Sequence, residues 1–75
     1  MKYNIGDIVK INMKQARYGI PAHSERIGII TGSRDLNTIP GYKPIAGHSE
    51  GYALIIAGIE NQNCFLVEED IIGKI

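Results

Sequence analysis

The feature that most constrains this chain is the alternation of apolar and polar residues in short runs between glycines. Isoleucine and valine dominate the apolar positions, and nine glycines interrupt the 75 residues at short intervals. No window keeps apolar residues three and four apart, as an amphipathic helix requires. Alternation in β-branched residues is typical of half-buried strands. The sequence therefore predicts an all-β domain.

The alternation predicts five strands and four connections. The strands are expected within residues 3–13, 26–32, 51–58 and 64–68, with a short last strand ending at residue 75. The connections are a loop at 14–25, an irregular stretch at 33–50, a tight hairpin at 58–63 and one helical turn at 69–71. In the first strand, Val9, Ile11 and Met13 share a face that is predicted to point inward.

The third predicted strand is the most apolar. Its two faces carry, respectively, Tyr52, Leu54 and Ile56, and Ala53, Ile55 and Ala57. Such a run predicts burial on both faces. Because a domain of this size has a thin core that takes only one of them, we expect a homodimer to cover the outer face of residues 53–59.

Five short strands with these connections resemble the SH3-like small barrel. Residues 6–11 (GDIVKI) and 26–30 (RIGII) are similar to the opening strands of KOW-type and related modules, and residues 67–71 (VEEDI) resemble the entry into their last turn. The resemblance implies one five-stranded SH3-like barrel over residues 1–75, with a short 3-10 turn before the last strand. The chain departs from KOW modules in its long first connection, and from peptide-binding SH3 domains in having no tryptophan.

Charge is balanced overall but unevenly distributed. Eight basic and eight acidic side chains cancel, so no net field attracts nucleic acid or an anionic membrane. Residues 1–34 have six basic and two acidic side chains, and residues 50–75 have one and five. We favour pairing of these segments across strands. The alternative is a basic surface for a polyanion, formed by Lys2, Lys10, Lys14, Arg17, Arg26 and Arg34.

Motifs for catalysis or cofactor binding are absent from the sequence. No Walker sequence, paired-histidine motif or nucleophile elbow occurs. The tripeptide His-Ser-Glu occurs at 23–25 and 48–50, each time before a predicted strand. We interpret both copies as polar strand-entry residues, with a metal or catalytic site as the less favoured alternative. The expectation is a protein that is not an enzyme and has no cofactor or metal.

Cys64 is the single cysteine, so it cannot form an intramolecular disulfide. We interpret it as a small apolar filler, and Tyr52 and Phe65 as packing residues in preference to base-stacking platforms. The longest apolar run, residues 52–57, is far shorter than the ~20 residues of a spanning helix. Without a signal-like start, a cytoplasmic location is expected.

The two long loops are the strongest sequence indication of function. All three prolines and both histidines fall in residues 14–25 and 33–50, and long loops in compact domains are usually functional. We predict a protein-binding adaptor, regulator or inhibitor that acts through these loops, with a KOW-like nucleic-acid module as the alternative. The predicted partner-binding residues are Arg17, Tyr18, His23, Arg34, Tyr42 and His48. Equally open is that residues 42–45 only cover one end of the barrel.

Overall fold

A single antiparallel sheet organises the computed structural model, which describes residues 2–40, 50–59 and 63–75. Its strands are β1 (Ile8–Asn12), β2 (Glu25–Asp35), β3 (Glu50–Ile56), β4 (Cys64–Leu66) and β5 (Ile71–Lys74). The order across the sheet is β4-β3-β2-β1-β5. The all-β prediction is confirmed, with all five strands antiparallel in one sheet.

Two 3-10 helices, Leu36–Thr38 and Glu68–Asp70, interrupt the strands. The second lies immediately before β5, so the turn expected before the last strand is confirmed one residue earlier than predicted. In the described ranges no helix has the length and apolar character needed to cross a membrane.

The core lies on one face of the sheet. Gly28 of β2 is opposite both Val9 of β1 and Ile56 of β3, and Ile30 is opposite Leu54. The buried side chains of the core are those of Tyr3, Val9, Ile11, Met13, Ile20, Ile30, Tyr52, Leu54, Ile56, Cys64, Leu66 and Ile71. The inward face predicted for the first strand is therefore confirmed.

The predicted loop at 33–50 is wrong at both ends. Ser33, Arg34 and Asp35 continue β2 and pair with residues 52, 51 and 50 of β3. These polar residues have low strand propensity, and cross-strand pairing overrides it. A register shift between Ile30 and Gly32 adds one residue to β2 at this point, which bends the strand.

Burial of β3 on both faces is also wrong within the protomer. Tyr52, Leu54 and Ile56 are buried, whereas the Ile55 side chain is 48% exposed. A one-layer sheet folded over a small core has only one inner face, so the opposite side chains of β3 face outward.

The sheet is not closed, because β4 and β5 are its two edges and a barrel therefore is not established. Contacts outside the strand ladders nevertheless link distant segments. The Tyr52 hydroxyl accepts hydrogen bonds from the backbone N–H groups of Lys2 and Tyr3, at 3.1 and 3.2 Å. The Lys14 N–H donates to the buried carboxylate of Asp70 at 3.3 Å. These bonds connect the start of the chain to β3, and the loop after β1 to the second 3-10 helix.

Two ion pairs join the first residues of the chain to the last ones. Lys2 lies 3.9 Å from Glu68, and Lys74 lies 3.3 Å from Asp7. The Asn4 N–H donates to the Asp7 carboxylate at 2.8 Å, and this hydrogen bond is the main cause that lowers the pKa of Asp7. Desolvation opposes it, and Lys74 adds to the lowering. Pairing between the terminal segments is thus observed.

The alternation of β3 predicts a sharp difference between neighbouring residues. We expect Leu54→Ala to lower the free energy of unfolding by about 2 to 4 kcal/mol, since it opens a cavity in the core. Ile55→Ala, which removes atoms of the same kind from the exposed face, should cost below about 1 kcal/mol. Urea unfolding of both variants, at protein concentrations below about 1 µM so that self-association does not contribute, measures the difference. Equal losses would mean that Ile55 is buried in solution.

The lowered pKa of Asp7 predicts that the free energy of unfolding depends on pH. A carboxyl whose pKa is lowered by folding stabilises the native state above its ordinary pKa of 3.8, and this contribution disappears as the pH falls through the lower native value. We therefore expect wild type to be more stable than Asp7→Asn at neutral pH, with the difference shrinking below pH 3.8. Urea unfolding across this pH range tests it, and a difference independent of pH would contradict the assignment.

Candidate functional site

The predicted loop 14–25 contains a short hairpin. Arg17 and Ile20 exchange two backbone hydrogen bonds, at 3.2 and 2.8 Å, around the two-residue turn Tyr18-Gly19. Both turn residues have positive φ, 55° and 75°, as in the tight type I′ turns that suit right-handed strand twist. Ile20 is buried in the core and anchors the hairpin. The predicted loop is therefore present over residues 14–24, with this hairpin inside it, whereas Glu25 already belongs to β2.

The hairpin places the Tyr18 hydroxyl on the backbone of β4. This hydroxyl accepts a hydrogen bond from the Phe65 N–H at 3.0 Å and donates one to the Phe65 carbonyl at 3.3 Å. At an edge strand these two groups have no neighbouring strand to pair with, and Tyr18 satisfies both. Tyr18 thus links the loop after β1 to the edge strand β4, which is separated from β1 by β2 and β3.

Arg34 approaches the same phenylalanine from β2. The centre of its guanidinium lies 5.7 Å from the centroid of the Phe65 ring, within the range of a cation–π contact. Arg34 is opposite Gly51 and Phe65 is opposite Ala53, so β3 lies between the two side chains. The small residues of β3 leave room for the long arginine side chain to reach the ring. We refer to Tyr18, Arg34 and Phe65 as the Phe65 site.

An open cavity adjoins the Phe65 site at the end of the β2–β3 hairpin. Its volume is about 170 Å³, and its described lining residues are Ser33, Arg34, Asp35 and Glu50. The Asp35 carboxylate is fixed in position, because it accepts the Asn37 N–H at 3.0 Å and so caps the 3-10 helix that follows. The described lining of the cavity therefore includes one basic and two acidic residues, and its Arg34 also contacts the Phe65 ring.

The other predicted partner-binding residues are not part of the Phe65 site. Arg17 is half-buried in the hairpin, next to Tyr18. His23 lies at the base of the same loop, where its N–H donates to the Met13 carbonyl at 2.8 Å and its φ is 62°. The side chain of His23 is exposed. Its backbone has the left-handed conformation, which few residue types other than glycine adopt. Tyr42 and His48 lie outside the described residues.

Phe65 is the residue that sequence reasoning missed. It was interpreted as core packing, yet it is only half-buried, while Cys64 and Leu66 on either side are fully buried. The signal was present, because the alternation that directs Cys64 and Leu66 inward directs Phe65 outward. Cys64 itself is a buried free thiol whose pKa is raised by burial, in agreement with its interpretation as an apolar filler.

Comparison of the chain with protein-family models, with curated proteins and with solved structures gave no match. We therefore infer the function from the geometry of the described residues.

The two hydrogen bonds of the Tyr18 hydroxyl predict that removing its oxygen weakens the structure locally, at Phe65. Tyr18→Phe keeps the ring but leaves the Phe65 N–H and carbonyl to solvent, so we expect a loss of about 1 to 2 kcal/mol in the free energy of unfolding. Hydrogen exchange at the Phe65 amide should accelerate, whereas the Cys64 and Leu66 amides, which face β3, should keep their protection and serve as internal controls. Unchanged exchange at Phe65 would contradict the contact.

Proposed function

We propose that this protein is a non-enzymatic protein-binding module of SH3-like architecture, acting as a small adaptor, regulator or inhibitor. The strand order supports the architecture: β1 to β4 follow one another across the sheet, and β5 returns beside β1 after a 3-10 turn. The Tyr18 hydroxyl and the Lys14–Asp70 hydrogen bond draw the loop after β1 toward β4 and the second 3-10 helix, in the direction that would close a barrel.

The observation that carries the proposal is the convergence on Phe65 of the loop after β1 and the end of β2. Tyr18 comes from the hairpin after β1 and its hydroxyl bonds the Phe65 backbone, whereas Arg34 comes from the far end of β2 and lies over the half-buried Phe65 ring. Tyrosine, arginine and phenylalanine are enriched in protein interfaces, where an aromatic anchor beside an arginine often dominates binding. The Tyr18 hydroxyl and the edge backbone hold this group in place before any partner arrives, which lowers the entropy lost on binding.

The chemistry of the site indicates the kind of partner segment it fits. Phe65 offers apolar surface, Arg34 offers hydrogen-bond donors, and Glu50 at the adjoining cavity offers acceptors. A protein segment that places an apolar side chain on the ring, with polar groups on either side of it, would use all three. Mixed charge at the cavity favours such a segment over a uniformly charged polymer.

A peptide selection with matched arginine variants tests this proposal. Linear peptides selected from a random phage-displayed library on the wild-type protein are measured by calorimetry against Arg34→Ala and Arg26→Ala. Arg26 is an exposed arginine near the opposite end of the same strand. We expect Arg34→Ala to weaken binding at least tenfold, since interface anchors cost about 2 kcal/mol or more when truncated. Arg26→Ala should leave binding unchanged.

Amide chemical shifts complete the experiment. Peptide titration should perturb the Phe65 and Arg34 signals of the wild-type protein first. Peptides that bind equally well to the Arg34→Ala variant, or that perturb only distant residues, would place the binding surface elsewhere and contradict the proposal.

A nucleic-acid module is the second candidate, because a cation and an aromatic ring on one surface can also stack a base. Two of the basic residues assigned to it are engaged within the chain: Lys2 lies near Glu68, and Lys10 lies 3.5 Å from Glu25. Fluorescence anisotropy with a single-stranded oligonucleotide distinguishes the candidates. Affinity falling steeply between about 50 and 200 mM salt supports the second candidate, and flat or absent binding eliminates it.

A further inference from the structure

Four isoleucines form a row across the outer face of the sheet. The strand register places Ile8 of β1 opposite Ile29 of β2, and Ile29 opposite Ile55 of β3. Beyond β5, the Ile75 N–H donates to the Ile8 carbonyl at 3.0 Å, which continues the row on the other side. The exposed fractions of the four residues are 71% for Ile75, 51% for Ile8, 39% for Ile29 and 48% for Ile55.

A fifth isoleucine widens this row. Ile27 lies two residues from Ile29 on the same face, 48% exposed, and is opposite Lys10 of β1. Its other neighbour is Ala57, whose N–H donates to the Ile27 carbonyl. We refer to Ile8, Ile27, Ile29, Ile55 and Ile75 as the isoleucine face. Isolated exposed isoleucines need no explanation, but five contiguous ones on a small domain indicate an interaction surface.

The chain covers part of this side of the sheet itself. Gly51, in the same phase of β3 as Ile55, has Leu36 of the first 3-10 helix against it: a Cβ there would lie 2.8 Å from the Leu36 Cδ1. Leu36 is fully buried. No comparable cover from the described residues lies over the isoleucine face, whose members are all at least 39% exposed.

We infer that the isoleucine face packs against the same face of a second copy of this chain. The charges at its rim fit this occupant. Lys10, which is opposite Ile27 on the outer face, lies 3.5 Å from Glu25, so the cation beside the isoleucines has a carboxylate next to it. A two-fold symmetric interface brings identical surfaces together, and a rim with both signs in equal number avoids repulsion there. A polyanion or an anionic membrane finds no net positive charge on this face.

The size of the face fits a small dimer interface. Four strands at about 4.8 Å each give a width of about 19 Å, and the isoleucines extend about 7 Å along β2 from Ile27 to Ile29. The isoleucine face is therefore the apolar centre of an interface, and the residues around it supply the rest of the buried area. Stable dimers bury about 600 to 1,000 Å² on each partner, a modest part of the 4588 Å² accessible surface of this chain. We therefore expect a reversible homodimer with a dissociation constant on the order of micromolar.

Sedimentation equilibrium from about 1 µM to about 1 mM protein tests this inference. The wild-type mass should rise from 8.2 kDa toward twice that value. The double variant Ile29→Thr, Ile55→Thr keeps β-branched side chains on the strands, so the fold should persist while the dissociation constant rises at least tenfold for each substitution. Ile5→Thr is the matched control, because Ile5 is 75% exposed but lies in the turn before β1, outside the row.

A measurement on the wild-type protein avoids any dependence on the variants. In a mixture of isotopically labelled and unlabelled copies, isotope-filtered NOEs should connect isoleucine methyl groups of different protomers. A wild-type mass that stays at 8.2 kDa, equal weakening by Ile5→Thr, or a dimer without such NOEs would overturn the inference. Arg34→Ala should leave the dimer intact, so failure of this inference and failure of the Phe65 site are separate outcomes.

Discussion

The position of β2 between β1 and β3 is the constraint on which the rest of the structure depends. The inward-facing side chains of β2 must pack beside those of β1 and of β3 at the same time. The strand does so with Gly28, where a Cβ would lie 3.2 Å from the Ile55 carbonyl oxygen and 3.3 Å from the Leu54 Cδ2. The close approach of β3 at this point lets Val9 and Ile56 share the core with Ile30. Because the period of side chains along a strand is two, this one choice of register decides which residues of three strands are buried.

The same register generates two different outer surfaces. Before the bulge between Ile30 and Gly32, the outward side chains of Ile8, Ile29 and Ile55 stand in line across β1, β2 and β3. After the bulge, β3 has Gly51 and Ala53 on this side, and these small residues leave space for Arg34 to reach Phe65. One extra residue in β2 thus separates an apolar face suited to a second copy from an aromatic site suited to a different protein.

The sequence predicted the fold better than the site. The strands and the turn before β5 were recognisable, because alternation and turn residues are local signals. Of the six predicted site residues, Tyr18 and Arg34 meet at Phe65, and His23 instead holds a tight turn at the base of its loop. Phe65 was assigned to the core because aromatic residues in strands usually pack there. Its actual environment depends on Tyr18, which is 47 residues away in the chain.

What the sequence determined by itself is the inward and outward alternation of each strand, since consecutive side chains of extended backbone point to opposite sides whatever the neighbours are. Only the tertiary structure decided which strands are neighbours and in what register. Three features follow from that pairing. They are the continuation of β2 through Arg34, the row of isoleucines from Ile75 to Ile55, and the two hydrogen bonds of the Tyr18 hydroxyl. Their physical basis is contact between distant segments, which depends on the packing of the whole core and leaves no trace in local composition.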